Sequence, residues 1–315
     1  MLLPRLSSAL GLLALSMGVF GQDDSDVKSI PLRTHSLVSP YLDTDMQSRW
    51  FDFGGDTIIR ADQYIRLTSD RPSQQGWLFS RVPLTATNWE VEFEFKIHGQ
   101  GNLHGDGMAI WVTKQRSTPG PVFGSTDRFE GLGIFFDTYK NNRPGVTFPY
   151  VMAMMGDGQT TYDQANDGKA NELAGCSARG LRGASVPTKA RMTYFQDKSF
   201  TLDLQYKRED DWQRCFEIPN LSIPSVAYLG FSAETGELSD NHDIIRVDAK
   251  NLYSTSGASG KSTRPEPVRG KSTVQQKKSG GWLWFFFKLI MFGGVCYGGF
   301  TGYKIYIKSR RSSRF

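Results

Sequence analysis

The chain has 315 residues, 13% of them aromatic and 22% charged, with a formal net charge of +5. The charge is uneven: residues 254–315 hold twelve Lys and Arg against the single acid Glu266, a net +11, which leaves residues 1–253 at −6. An acidic body excludes nucleic acid as the natural partner and suits a cation or a neutral ligand.

Residues 1–21, MLLPRLSSALGLLALSMGVFG, place Arg5 before a Leu/Ala-rich run and small residues, the layout of a cleaved secretory signal. From 30 to 253 helical periodicity is scarce and alternation is common. WEVEFEFKI (89–97) and FTLDLQYK (200–207) alternate, while GMAIWVT, GLGIFFD, YVMAMMG and VAYLGFSA are apolar runs bounded by turn residues. The spacing predicts many strands in one large β-sandwich. In the first of these strands Glu90, Glu92 and Glu94 share one face and Val91, Phe93 and Phe95 the other. Retaining β-glucanases on the same sandwich use an E-x-D-x-E strand, so Glu90 and Glu94 give an enzymatic alternative. Phe facing inward and Glu in water is the plainer reading.

Asp106 lies between two glycines in LHGDGMAIWV (103–112), where a carboxylate either caps a turn or accepts hydrogen bonds from ligand hydroxyls. GIFFDTYKNN (133–142) then drives Asp137 out of an apolar strand, with Tyr139 and Asn141 at every second place. A carboxylate, a backbone carbonyl and an amide oxygen at that spacing are ligands that Ca²⁺ accepts together, although on this pattern alone a solvated strand end is the plainer reading. Calcium would need a second carboxylate, for which Asp163 and Asp167 in YDQANDGK (162–169) are the candidates.

Of three cysteines, Cys296 lies in the C-terminal apolar stretch, leaving Cys176 and Cys215 as one bridge or two free thiols. An oxidising compartment favours the bridge, which would close a loop worth about 4 kcal/mol. Asn220 opens the one sequon, NLS. In SAETGELSDNHDI (232–244) a glycine-bearing loop joins two strand patterns, and His242 reads as a structural hydrogen-bonder.

After Tyr253 the composition turns Ser-, Gly- and Lys-rich, and residues 254–281 read as a flexible stalk without heptads. Its GASGKST fails as a phosphate loop, because Thr255 stands where the first glycine belongs and Pro265 and Pro267 forbid the following helix. WLWFFFKLIMFGGVCYGGFTGY (282–303) is long and apolar enough for a transmembrane helix, and 304–315 is a short basic tail. Gly294, Gly298 and Gly302 form a small-residue ridge along that stretch.

Taken in order, HGDGMA, GIFFDTYKN, YDxxxDG, ELAGC and TGELSDNHD resemble the L-type lectins, the animal and fungal cargo-receptor relatives of legume lectins. The resemblance covers residues 30–253, and the signal, single span and basic tail look most like the vesicular integral-membrane branch. It implies an all-β fold, a concanavalin-like jelly-roll of two antiparallel sheets that binds Ca²⁺ and mannose. Carried over by residue, Asp137, the Tyr139 carbonyl, Asn141 and Asp167 are the expected metal ligands. Asp106, Asn141, Ser73, Gln164 and the loop Gly236, Glu237, Leu238 are the expected sugar contacts. Gln164 stands where the family has a histidine, which removes an imidazole that would titrate near pH 6. Glu237 retains an acid like that of members preferring α1,2-linked mannose, and Lys140 replaces a second-calcium carboxylate. The implied partners are high-mannose glycoproteins and, through the cytosolic tail, vesicle coat machinery. The implied location is a single-pass type I membrane protein of the endoplasmic reticulum, intermediate compartment and Golgi. No catalysis is expected. The alternative keeps the fold as a transmembrane adaptor that binds polypeptide cargo without sugar.

Overall fold

The computed structural model describes residues 27–254 together with Tyr297, Phe300, Thr301 and Lys304. The chain divides into two units, Met1–Ser259 and Gly260–Phe315. In the second, the described residues are helical, and Thr301 Oγ1 donates to the Tyr297 carbonyl at 2.9 Å. No helix among the described residues is long and apolar enough to cross a membrane. The signal of 1–21, the stalk after Ser254, most of 282–303 and the tail after Lys304 lie outside the described residues.

The first unit is built of β1 (Val27–Pro31), β2 (Phe51–Gly55), β3 (Ile58–Arg60), β4 (Tyr64–Thr68) and β5 (Gln75–Ser80). There follow β6 (Asn88–His98), β7 (Gly107–Thr113), β8 (Glu130–Asp137), β9 (Tyr150–Asp157) and β10 (Ala174–Ser177). The last five are β11 (Thr188–Phe195), β12 (Ser199–Gln205), β13 (Gln213–Pro219), β14 (Tyr228–Glu234) and β15 (Asn241–Ser254). They form two sheets whose neighbouring strands are all antiparallel. The first runs β13-β12-β11-β6-β15-β4-β3, with β1 also on β15; the second runs β10-β9-β8-β7-β14-β5-β2.

The two sequence patterns sort between the sheets. In β6, Trp89, Val91, Phe93, Phe95 and Ile97 are buried and the residues between them are not, because one face meets the core and the other meets water. Glu90, Glu92 and Glu94 do share the outer face. There the Lys250 ammonium on β15 meets Glu90 at 3.0 Å and the Arg191 guanidinium on β11 meets Glu92 at 2.9 Å. These are cross-strand partners by register, Glu90 opposite Lys250 and Glu92 opposite Arg191. Two of the three glutamates are thus engaged in surface ion pairs, each worth about 0–1 kcal/mol.

By contrast, every residue of β7 is buried, and so is all of β8 after Glu130. Their inward side chains join the inter-sheet core, where Phe95 and Phe136 approach to 5.1 Å and Phe93 and Phe231 to 5.3 Å between ring centroids. Such pairs add about 0.5–1.5 kcal/mol each beyond area burial. Their outward side chains are buried too, in a second aromatic cluster outside the sheet. Trp111 packs edge-on to Phe129 at 4.9 Å, and Phe135 touches both Phe123 at 5.4 Å and Tyr162 at 4.8 Å. The segments carrying Phe123 and Tyr162 therefore lie against the outer face of this sheet. That covering is why these strands read as unbroken apolar runs.

Cys176 on edge strand β10 and Cys215 on edge strand β13 form a disulfide with Cα atoms 5.4 Å apart, linking the margins of the two sheets across 39 residues. Asn220 is exposed in the turn after β13, where its backbone has φ 54° and its N–H bonds the Lys198 carbonyl at 2.9 Å.

Candidate functional site

Strand order brings three carboxylates to one end of the second sheet. β14, β7 and β8 are neighbours, and the register sets Gly107 opposite Glu234 on one side and Asp137 on the other. Asp106 immediately precedes Gly107 and is joined to Gly105 by a cis peptide bond. Its N–H bonds the Glu234 carbonyl at 3.2 Å, and its own carbonyl accepts Thr138 N at 2.9 Å and Thr138 Oγ1 at 3.1 Å. Asp106, Asp137 and Glu234 line one cavity of about 230 Å³ with Pro121, Phe123, Tyr139, Asn141, Tyr162 and Gln164.

The carboxylates at and next to this cavity are electrostatically unusual. Asp137 and Asp167 are only 5% and 2% exposed. Asp167 closes the 3-10 turn Gln164–Asn166 in the left-handed region. Its carboxylate accepts Asn141 N at 3.1 Å, Asn141 Nδ2 at 2.6 Å and Arg143 N at 3.2 Å. Asp137 accepts Tyr139 N at 3.0 Å. Burial, and after it the Asp167 charge, pushes the Asp137 carboxyl well above its ordinary range. Burial raises Asp106 and Glu234 as well. The Tyr162 hydroxyl is buried without a hydrogen-bond partner among the described residues. Burial first, and then Asp137 and Asp167, hold it in the protonated form.

A cation resolves this arrangement physically, because two carboxylates out of water repel each other until a positive charge stands between them. One neighbouring cation, Arg143, is already ion-paired with Glu172 and donates to the Asp167 main-chain oxygen at 3.1 Å. Among the described residues no three His, Cys, Asp or Glu side chains form a metal-binding group. Two carboxylates beside an amide and a main-chain carbonyl nevertheless fit a hard divalent ion, which completes its shell with neutral oxygens and water. Soft or imidazole-preferring metals find no sulfur or nitrogen ligand lining this cavity.

The expected site residues divide as follows. Asp106, Asp137, Tyr139, Asn141 and Gln164 line the cavity, and Asp167 lies beneath it on Asn141. Asp163, the other carboxylate read from the sequence, turns away and accepts Asn166 Nδ2 on both oxygens, at 3.1 and 3.0 Å. Gln164 is exposed at the rim and donates through Nε2 to the Pro121 carbonyl. Gly236 sits directly on Asp106: a Cβ added there would stand 3.0 Å from Asp106 Oδ2. Leu238 and Tyr139 flank Gly105, with their Cβ atoms 3.7 and 3.0 Å from where its own would be. Ser73 is exposed, and its N–H holds the Gly236 carbonyl at 2.9 Å. Glu237 is exposed and is not among the cavity-lining residues. His242 is fully buried against Thr68 Oγ1 at 2.7 Å, in the structural role expected of it. Sequence reasoning missed Pro121, Phe123, Tyr162 and Glu234. The signals were faint: a turn-rich GPVFGST segment, an aromatic just before Asp163, and an acid ending an apolar strand.

Residues 28–258 match the sequence model of the legume-like lectin family. The chain is 38% identical over 246 residues to an L-type lectin-like domain-containing protein of Schizosaccharomyces pombe, a match covering 78% of each. It is 44% identical over 221 residues to the human VIP36-like protein, covering 68% of this chain and 62% of that one, less than two thirds of the relative's length. The solved VIP36 exoplasmic/lumenal domain in its Ca²⁺/Man2-bound form is 37% identical with a TM-score of 0.67, covering 77% of this chain and 99% of that domain. The chain belongs to the legume-like lectin family.

Proposed function

We propose that residues 30–253 form a calcium-dependent lectin domain that binds mannose on high-mannose N-glycans. The observation that carries this reading is the buried Asp137–Asp167 pair, whose mutual repulsion a divalent cation would relieve. The Ca²⁺/Man2-bound form of the VIP36 domain supports it. The Asp137 and Asp167 carboxylates, the Asn141 amide oxygen and the Tyr139 carbonyl would hold the ion. Calcium, when bound, neutralises the two carboxylates and fixes the segment 137–141. Asn141 would turn its amide so that the oxygen meets the metal and Nδ2 is free to donate to a sugar hydroxyl.

Asp106 accepts from paired hydroxyls at the other wall, and Gly236, Leu238 and Ser73 close over it. Because these groups are held by the fold, few side chains need ordering when a sugar enters, and affinity rises mainly through several glycans binding at once. Gln164 donates at the rim without titrating, so sugar release on mild acidification does not run through this residue. Glu237 sets preference among mannose linkages from outside the cavity.

In the cell, the domain would serve as a cargo receptor between endoplasmic reticulum and Golgi. The signal would occupy 1–21, the stalk 254–281, the membrane span 282–303 and the coat-contacting cytosolic tail 304–315. The test is a high-mannose glycan array read with calcium and again with EGTA. Signal on mannose-terminated glycans that disappears with EGTA is expected. A protein that stays silent on mannose yet still captures unglycosylated cargo would overturn this reading in favour of the adaptor.

A further inference from the structure

Three segments carry the residues placed on the sugar: 69–75 with Ser73, 99–106 with Asp106, and 234–241 with Gly236 and Leu238. Most of each lies outside regular strands. They are tied together by a polar cluster that takes no part in lining the cavity. Asp240, fully buried, accepts Arg182 on both oxygens, from Nε and from Nη2 at 2.8 Å each. The same Nη2 also donates to the Gly101 carbonyl at 3.1 Å. Arg182 therefore bridges the second and third segments, from a turn anchored by Gly183 N on the Ile97 carbonyl at 2.9 Å.

Asp70 makes the complementary link. One oxygen accepts Gln100 N at 2.8 Å, and the other accepts the Ser239 hydroxyl at 2.7 Å. Its own N–H donates to Asn241 Oδ1 at 3.0 Å. Each segment is thus bonded to both others through Asp70, Asp240 or Arg182. The packing leaves no slack: a Cβ added to Gly99 would stand 2.4 Å from Asp240 Oδ1 and 3.0 Å from Asp70 Oδ2. The Gln100 N–H, the Ser239 hydroxyl and, more weakly, the Arg182 charge hold the Asp70 carboxyl below its ordinary range.

We infer that Arg182, Asp240 and Asp70 are positioning residues, a clamp that pre-orders the three sugar-facing segments without touching either sugar or metal. The inference rests on the mannose-binding reading above. The charge-assisted, two-pronged Arg–carboxylate contact supplies direction as well as attraction, which a loop needs to keep Gly236 on Asp106. With the clamp intact, the entropy of ordering these segments is lost at folding. Without it, the same cost falls on sugar binding.

The test compares the full chain in detergent with its Arg182→Ala, Arg182→Lys and Asp70→Asn variants. Three readouts apply: backbone hydrogen exchange, calcium affinity by terbium displacement, and affinity for α-mannobiose. In Arg182→Ala, exchange in 99–106 and 234–241 should rise about tenfold with β7 and β8 unchanged, and mannobiose affinity should fall about tenfold with calcium affinity kept within about twofold. Arg182→Lys, which keeps the charge and loses the fork, should fall between. Asp70→Asn should loosen 99–106 and 234–241 in the same way, and it decides the matter if Arg182→Ala speeds exchange everywhere. Wild-type exchange and wild-type mannobiose affinity in both Arg182→Ala and Asp70→Asn would overturn the clamp, as would a parallel loss of calcium affinity. If the wild type itself ignores mannobiose, the lectin reading fails, and the exchange data alone then decide the clamp.

Discussion

Replacing Asp137 by Asn is the most informative single perturbation of the site. The change keeps an oxygen for Tyr139 N, 3.0 Å away, and removes one formal charge from a side chain only 5% exposed. Two opposite effects follow. Without calcium, the wild type holds two neighbouring carboxylates out of water, so the variant should be the more stable protein by about 1–3 kcal/mol. With calcium at about a hundred times its dissociation constant, linkage stabilises the wild type by about 2.7 kcal/mol, whereas the variant loses most of this gain. For a domain of this size 1 kcal/mol moves Tm by about 2–4 °C, so calcium should raise the wild-type Tm by about 5–10 °C. Differential scanning fluorimetry of both proteins in EGTA and in calcium reads all four values. A variant that melts below the wild type in EGTA, or that keeps the full calcium shift, would refute the claim that charge repulsion at Asp137 is what the ion relieves.

Three further outcomes are expected. Gly236→Ala pushes a methyl to 3.0 Å from Asp106 Oδ2, so mannobiose affinity should fall about tenfold while the calcium shift in Tm is unchanged. Removing the bridge with Cys176→Ser and Cys215→Ser frees 39 residues of loop in the unfolded chain and should cost about 4 kcal/mol by urea unfolding. Burial pushes the His242 imidazole down to about 3, against about 6.5 when unfolded. Above pH 6.5 neither state binds that proton; below it the unfolded chain does. Stability should therefore fall by about 1.4 kcal/mol per pH unit from this residue down to about pH 3, and His242→Gln should flatten the slope of the urea midpoint against pH.

The sequence by itself determined the strand content, because period-two alternation and bounded apolar runs are properties of one strand and its two faces. WEVEFEFKI, GMAIWVT and GLGIFFD became β6, β7 and β8 with ends shifted by a residue at most. It also picked out Asp137, Tyr139 and Asn141, which line one cavity, since their spacing is local, and the one cysteine pair left once Cys296 was set aside. Tertiary structure decided what those local patterns meet. Asp106 and Glu234 lie 128 residues apart and join the site only because β14, β7 and β8 are neighbours in register. The motif resemblance had already put Asp167 ahead of Asp163; the 3-10 turn and the left-handed backbone at its end are what bring the Asp167 carboxylate onto Asn141. The Arg182–Asp240–Asp70 clamp was invisible for the same reason: its members sit in separate loops, and no periodicity in a chain records which loops will share a carboxylate.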